Sequence, residues 1–339
     1  MAKLFFRLLI IGAVVAALLY HQFYGGGVRD DLSIELNIKD IERLGAEKIV
    51  DSLVLPHIKN KIAFNIYADH LNLYGRGVIR GYYELSSKMS VVDVVRRLKL
   101  GMQTPKKITF NNIRTVEQLA GAIGGQIQAD SLEILEAIDS PEWRDELGLS
   151  HQERISIFIP NTYEVWWSVE PNDLVARMVS EYQRFWTPER DAKREELGMS
   201  RAEVITLASI VVQESKVVGE YRRIAGVYIN RLKRRMRLQA DPTVIFGIGD
   251  FTINRVLKAH LRYDSPYNTY IYRGLPPGAI ALPTISAIDG VLNYENHTYL
   301  YFCARPEMDG EHNFATTYED HLINARAYQA ELNARAKGE

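Results

Sequence analysis

Between Leu8 and Tyr20 the chain runs Leu-Leu-Ile-Ile-Gly-Ala-Val-Val-Ala-Ala-Leu-Leu-Tyr without a charge. Counted from Leu4 to Tyr24, the apolar stretch reaches the ~20 residues that a helix needs to cross a bilayer. Lys3 and Arg7 stand before or at its start, and Phe23, Tyr24 and three glycines follow it. Positive residues on the N-terminal side predict that this end stays in the cytoplasm and that everything after Gly27 is sent across. No Ala-x-Ala site follows the run, which favours an uncleaved anchor over a cleaved signal peptide, with a buried helix of a soluble fold as the third reading. No other apolar run is long enough to span. The chain therefore reads as single-pass: a cytoplasmic end at residues 1–3, a transmembrane anchor at 4–24, and a large body on the far side of the membrane.

That body has an ordinary globular composition. Of 339 residues, 47% are hydrophobic and 24% charged, which excludes disorder and a multi-span protein. The formal charge of −1 supplies no field to recruit nucleic acid. The single cysteine, Cys303, lies in a strand-like Tyr-Leu-Tyr-Phe-Cys-Ala segment and reads as a buried, inert thiol.

Alternation in Ser33-Ile-Glu-Leu-Asn-Ile-Lys predicts a strand, followed by a helix from Asp40. Gly77 to Leu85 has a strand pattern, and Ser90 to Gly101 reads as a capped amphipathic helix. Lys107-Ile-Thr-Phe supplies another strand before a helix from Thr115. These short elements predict a small α+β module over residues 29–110. A helical connector at 111–157 and a C-terminal domain of longer helices at 158–339 complete the expected organisation.

In that domain Ser200 and Glu203 make a capping-box start. Leu207, Ile210, Val211, Glu214, Val217 and Val218 follow the spacing of one helix face, so Glu214 stands where a hydrophobic residue is expected. A carboxylate in such a place loses solvation, its pKa rises, and it can serve as a general acid near neutral pH. A structural ion pair with an arginine fits the same pattern.

Four unusual loops collect in this half: Leu238-Gln-Ala-Asp-Pro-Thr-Val, Asp264-Ser-Pro-Tyr-Asn-Thr-Tyr, Gly274-Leu-Pro-Pro-Gly-Ala-Ile and Gly310-Glu-His-Asn-Phe. Proline and glycine force turns, while Tyr, Asn, Gln and Asp offer rings and hydrogen-bonding groups suited to a sugar chain. Ordinary structural turns are the other reading. The basic run Arg231-Leu-Lys-Arg-Arg-Met-Arg237 ends a helix and reads as a solvated terminus, with lipid headgroups or a pyrophosphate-bearing substrate as the alternative contact. No His-Glu-x-x-His, phosphate-binding loop, dinucleotide loop or serine elbow is present, so the expectation is neither metal nor cofactor.

Six blocks in order, Leu207-Ala-Ser-Ile-Val-Val-Gln-Glu-Ser, Ala225-Gly-Val-Tyr-Ile-Asn-Arg-Leu, Met236 to Gly247, Tyr267-Asn-Thr-Tyr, Gly274 to Ile280 and His312-Asn-Phe, resemble the endolytic murein transglycosylases of the MltG (YceG-like) family. The resemblance is dense from Phe158 to His321 and thin before it. It implies an α+β protein with one N-terminal transmembrane helix, a LysM-like module at 29–110, and a mixed α/β catalytic domain with a lytic-transglycosylase-type cleft. It further implies cleavage of the bond between N-acetylmuramic acid and N-acetylglucosamine in nascent peptidoglycan, leaving a 1,6-anhydro end and terminating strand growth beside cell-wall synthases. The family's catalytic Glu falls on Glu214. One acid and base suffices because the muramoyl 6-hydroxyl is the nucleophile and no water needs activation. Gln239, Asp241, Asn268, Tyr270 and His312 are the candidates for lining the glycan cleft, and Gly274, Pro276, Pro277 and Gly278 for shaping its wall. A muramidase-like hydrolase, with Asp241 as second carboxylate, and a silent glycan-binding scaffold are the competing readings.

Overall fold

The computed structural model describes residues 2–75 and 77–338 and divides them into two compact units. The first comprises the described residues of 2–108, 124–130 and 163–170. Its elements are α1 (Ala2–Tyr24), β1 (Leu32–Leu36), α2 (Ile38–Leu44), α3 (Ala46–Leu53), α4 (Lys61–His70), β2 (Gly81–Leu85), α5 (Val91–Leu100) and, at its boundary, β3 (Lys106–Thr109) and β4 (Thr162–Val165). From Lys3 to Tyr24, α1 is long and apolar enough to cross a membrane, and its most apolar stretch is exposed throughout.

β1 and β2 pair antiparallel, with Ile34 opposite Tyr83 and Leu32 opposite Leu85. Period-two alternation turns Ile34, Leu36, Tyr83 and Leu85 into one buried core with Val91, Val94, Val95 and Leu98, which α5 presents at helical spacing. The expected strands are shorter than their patterns. β1 stops at Leu36 because the Asn37 side chain accepts a hydrogen bond from the Lys39 N–H and starts α2; Gly77 to Arg80 lies outside β2. The helix expected from Ser90 to Gly101 forms with both its caps. Ser90 and Asp93 close a capping box, and Gly101 ends α5 at φ 65°, a left-handed conformation that glycine adopts without a Cβ clash.

The second unit holds α6 (Val116–Gly124), α7 (Ser131–Asp139), α8 (Pro141–Leu147), α9 (Pro171–Phe185), α10 (Pro188–Leu197), α11 (Arg201–Glu214), α12 (Tyr221–Lys233), α13 (Asp241–Ile248), α14 (Ile285–Leu292), the hairpin pair β5 (Tyr301–Ala304) and β6 (His312–Ala315), and α15 (Tyr318–Gly338). α11, α12 and α14 pack on one another. α11 departs from the amphipathic expectation in two ways. Every residue from Val204 to Val211 is buried, so the middle of the helix is enclosed on all sides and has no single apolar face. It also ends at Glu214: Ser215 is extended (φ −138°, ψ 145°), so Val217 and Val218 are off the helix and Val218 is exposed. Cys303 lies on β5 half-buried, with burial pushing its thiol pKa up.

Candidate active site

Both ends of α11 are set by local chemistry. The Ser200 hydroxyl accepts the Glu203 N–H at 3.1 Å while the Glu203 carboxylate accepts the Ser200 N–H at 2.7 Å. At the other end the Ser215 N–H closes on Val211 O, leaving Glu214 in the last turn. An acidic side chain there opposes the helix dipole, which favours cations at a C-terminus. Packing of α12 and of the segment Gly274 to Ile280 then fixes the surroundings. The Ile280 N–H donates to Ser209 Oγ at 3.0 Å, tying that segment to α11, and a Cβ on Gly278 would meet Gln152 O at 2.2 Å.

Glu214 opens into a cavity of about 340 Å³ lined also by Tyr228, Arg231, Gln239, Asp241 and Tyr270, with Tyr301, Phe302, Tyr318 and His321 completing the wall. The Tyr228 hydroxyl donates to Glu214 Oε1 at 2.9 Å. Loss of solvation pushes the Glu214 pKa up to about 7; the Tyr228 hydrogen bond pulls it down, the Asp241 charge raises it and the Arg231 charge lowers it. Glu214 is thus poised to be protonated near neutral pH, and its second oxygen has no hydrogen-bond partner among the described residues. Tyr228 is held as a phenol, its pKa raised by its own burial and by Glu214.

Across the cavity, Asp241 opens α13 and accepts the Tyr270 hydroxyl at 2.6 Å. Burial first, and then Asp241, keep that phenol protonated. Gln239 occupies the left-handed region at φ 52°, which costs a non-glycine residue on the order of 1 kcal/mol. The turn is propped by the buried Thr269, whose carbonyl accepts the Gln239 N–H and whose hydroxyl accepts the Ala240 N–H.

Of the residues expected to line the cleft, the structure brings Gln239, Asp241 and Tyr270 into one cavity with Glu214. Asn268 and His312 stand elsewhere. Asn268 is fully buried: its amide donates to Leu261 O and Tyr263 O, and its Oδ1 accepts the Tyr270 N–H at 2.9 Å, so it holds the turn that carries Tyr270. His312 donates its N–H to Glu220 Oε1 at 2.8 Å, its Nδ1 lies 2.8 Å from Glu220 Oε2, and the Ser215 hydroxyl donates to the same oxygen at 3.1 Å. This buried cluster ties the residue after Glu214 to β6.

Arg231 corrects the reading of the basic run as a solvated helix end. Its side chain is buried, donating Nε–H to Leu300 O at 2.6 Å and Nη1–H to Leu238 O. Tyr228 and Arg231 are three apart on the packed side of α12, where a charge among Ile224, Val227 and Tyr228 carries the same signal that singled out Glu214. Tyr301, Phe302, Tyr318 and His321 had no comparable local signal. Among the described residues no cluster of His, Cys, Asp and Glu forms a metal site.

The sequence model of the YceG-like family matches residues 42–327. The chain belongs to that family. Its match reaches well before Phe158, where the motif blocks begin to crowd. A Bacillus subtilis (strain 168) protein named endolytic murein transglycosylase is 26% identical to this YceG-like chain over 298 residues, covering 82% of the chain and 80% of that relative. A protein of the same name from Streptococcus pneumoniae serotype 2 is 28% identical over 308 residues; the match takes in 81% of this chain and 55% of the longer relative. A solved structure described as a putative yceG-like protein from Listeria monocytogenes shares the fold at a TM-score of 0.59 and 27% identity, covering 87% of this chain and 98% of that one.

Proposed function

We propose that this chain is a membrane-anchored endolytic murein transglycosylase with Glu214 as its single acid and base. The observation that carries the reading is a carboxyl pushed up to about 7 inside a polar and aromatic cavity, with one oxygen held by Tyr228 and the other free for a substrate. It is supported by membership of the YceG-like family and by the shared name of the Bacillus and Streptococcus relatives.

In this mechanism protonated Glu214 gives its proton to the glycosidic oxygen leaving the muramoyl carbon. The carboxylate so formed takes the proton of the muramoyl 6-hydroxyl as that oxygen closes on the anomeric carbon, giving the 1,6-anhydro end. Tyr228 stabilises the transient carboxylate, and Asp241, steadied by Tyr270, faces the positive charge that develops on the sugar ring. Gln239 contributes hydrogen bonds to sugar hydroxyls. Asn268 and His312 act through the turns they hold.

In the same reading α1 is the anchor, the body lies on the periplasmic face of the inner membrane, residues 29–110 form a LysM-like glycan-binding module, and 158–339 form the catalytic domain. Nascent glycan beside cell-wall synthases is the substrate. The test is mass spectrometry of glycan strands incubated with the protein: a non-reducing 1,6-anhydromuramic product is expected, and Glu214→Gln abolishes it. A reducing end carrying one added water identifies a muramidase-like hydrolase that uses Asp241 as a second carboxylate. Binding without any cut strand identifies a scaffold.

A further inference from the structure

Arg231 is a buried cation that forms no ion pair among the described residues, although its charge is felt by Glu214 across the same cavity. It is 7% exposed, and its two hydrogen bonds run to backbone carbonyls, those of Leu300 and Leu238. Those bonds account for one N–H on Nε and one on Nη1; Nη2 has no hydrogen-bond partner among the described residues, and the guanidinium forms no ion pair with any of them. Nη2 is not sealed from solvent, so its donors stay open to a ligand that enters the cavity. The cavity wall that Arg231 shares with Glu214 is where such a ligand can enter.

His321 lies on the same wall. Its ring stacks on Tyr301 at 5.4 Å, and the Arg231 guanidinium lies over that same tyrosine ring at 5.5 Å. Nδ1 of His321 is buried, and neither it nor Nε2 has a hydrogen-bond partner among the described residues. Burial and the Arg231 charge push its pKa down, so the ring is neutral at pH 7. A buried N–H without an acceptor is the costlier orphan, so the single proton belongs on Nε2, the nitrogen left to meet a ligand.

We infer that Arg231 and His321 form a receptor for an oxygen of the 3-O-lactyl group of a muramoyl residue, and that this contact selects the muramoyl sugar for the site of Glu214. The inference rests on the proposed activity for the identity of the sugar. Muramic acid differs from glucosamine by that lactyl ether, which ends in a carboxylate on peptide-free strands and in an amide carbonyl where a stem peptide is attached. Both present an oxygen acceptor, and a guanidinium with empty donors favours it strongly.

The experiment measures binding in the full chain carrying Glu214→Gln, so that no strand is cut. Calorimetry compares a peptide-free muramoyl-containing tetrasaccharide with a chitotetraose of equal length, which lacks the lactyl group. The muramoyl ligand is expected to bind tighter by about tenfold, the worth of a charge-assisted hydrogen bond. Adding His321→Phe, which keeps the aromatic stack and removes both nitrogens, is expected to shrink that preference severalfold; Arg231→Lys is expected to do the same while keeping a charge. Equal binding of the two ligands by the parent, or a preference that both variants leave intact, overturns the inference. A third ligand carrying stem peptides locates the oxygen. A preference kept by both muramoyl ligands assigns the shared carbonyl oxygen, and one kept only by the peptide-free ligand assigns the carboxylate. A preference seen only with peptides overturns the inference, because the peptide is then read elsewhere. Since binding is read without turnover, loss of the lactyl preference in a protein whose Glu214 form cuts strands sinks this inference alone, and preference without cutting sinks the activity alone.

Discussion

At the scale of single residues, the proposed chemistry turns on which groups surround Glu214. With its pKa pushed up to about 7 by desolvation, strand cleavage should fall off as pH rises through that value, measured as kcat/KM against pH. Two substitutions should move this limb in opposite directions. Tyr228→Phe removes the hydrogen bond that favours the ionised form and shifts the limb upward by up to about one pH unit, with a fall in kcat. Asp241→Asn removes a like charge and shifts it downward. Stability supplies an independent check. Because folding raises the Glu214 pKa above its usual 4.5, the fold favours the protonated form, a contribution present below 4.5 and lost as pH rises through about 7. Glu214→Gln, which cannot ionise, should therefore be more stable than the parent at pH 8 by up to about 3 kcal/mol, with the gap closing toward pH 4.5 in chemical denaturation. The position of this residue was legible in the sequence as a charge in an apolar pattern. Its partners were only partly so: Asp241 and Tyr270 stood in conspicuous motifs, whereas Tyr301 and His321 look like any aromatic strand and any helical histidine until the chain brings them beside Arg231.

At the scale of elements, the last turn of α11 is held from outside the helix. Glu220, itself buried, gathers Ser215, the His312 backbone N–H and the His312 ring, and so ties the end of the Glu214 helix to β6. Glu220→Ala leaves those donors without an acceptor and should cost about 2–4 kcal/mol in urea denaturation. Since the cluster stands outside the Glu214 cavity, the pH at which cleavage declines should stay put in whatever fraction remains folded. Helix starts were readable because a capping box is local: Ser90 with Asp93 and Ser200 with Glu203 are each three residues apart. The end of α11 was not. Val217 and Val218 continue the helical spacing, and what stops the helix at Glu214 is the pull of Ser215 toward Glu220, whose other contacts come from a residue about ninety positions away.

At the scale of the whole molecule, one segment stands apart in kind: α1, apolar along its length and exposed. Its end is joined to the first unit. Phe23 packs against that unit's core, the Gly27 N–H donates to Met89 O at 2.7 Å, and the Lys59 N–H donates to Gly27 O at 2.8 Å. Deleting residues 2–22 while keeping Phe23 should move the protein from the membrane to the soluble fraction on centrifugation without loss of thermal stability, whereas a deletion running through Gly27 should lower the melting temperature. The sequence by itself determined an N-terminal helix long and apolar enough to cross a membrane, the mixed α+β character, the helix starts and the candidate acid, because hydrophobic length, periodicity and capping are encoded within a few residues of one another. Only the tertiary structure decided which polar residues meet that acid, that Arg231 is buried and not solvated, and that Asn268 and His312 support turns outside the cavity. Those outcomes depend on which distant segments fill the space around a side chain, and burial, not residue type, sets whether a charge is solvated, paired or left for a ligand.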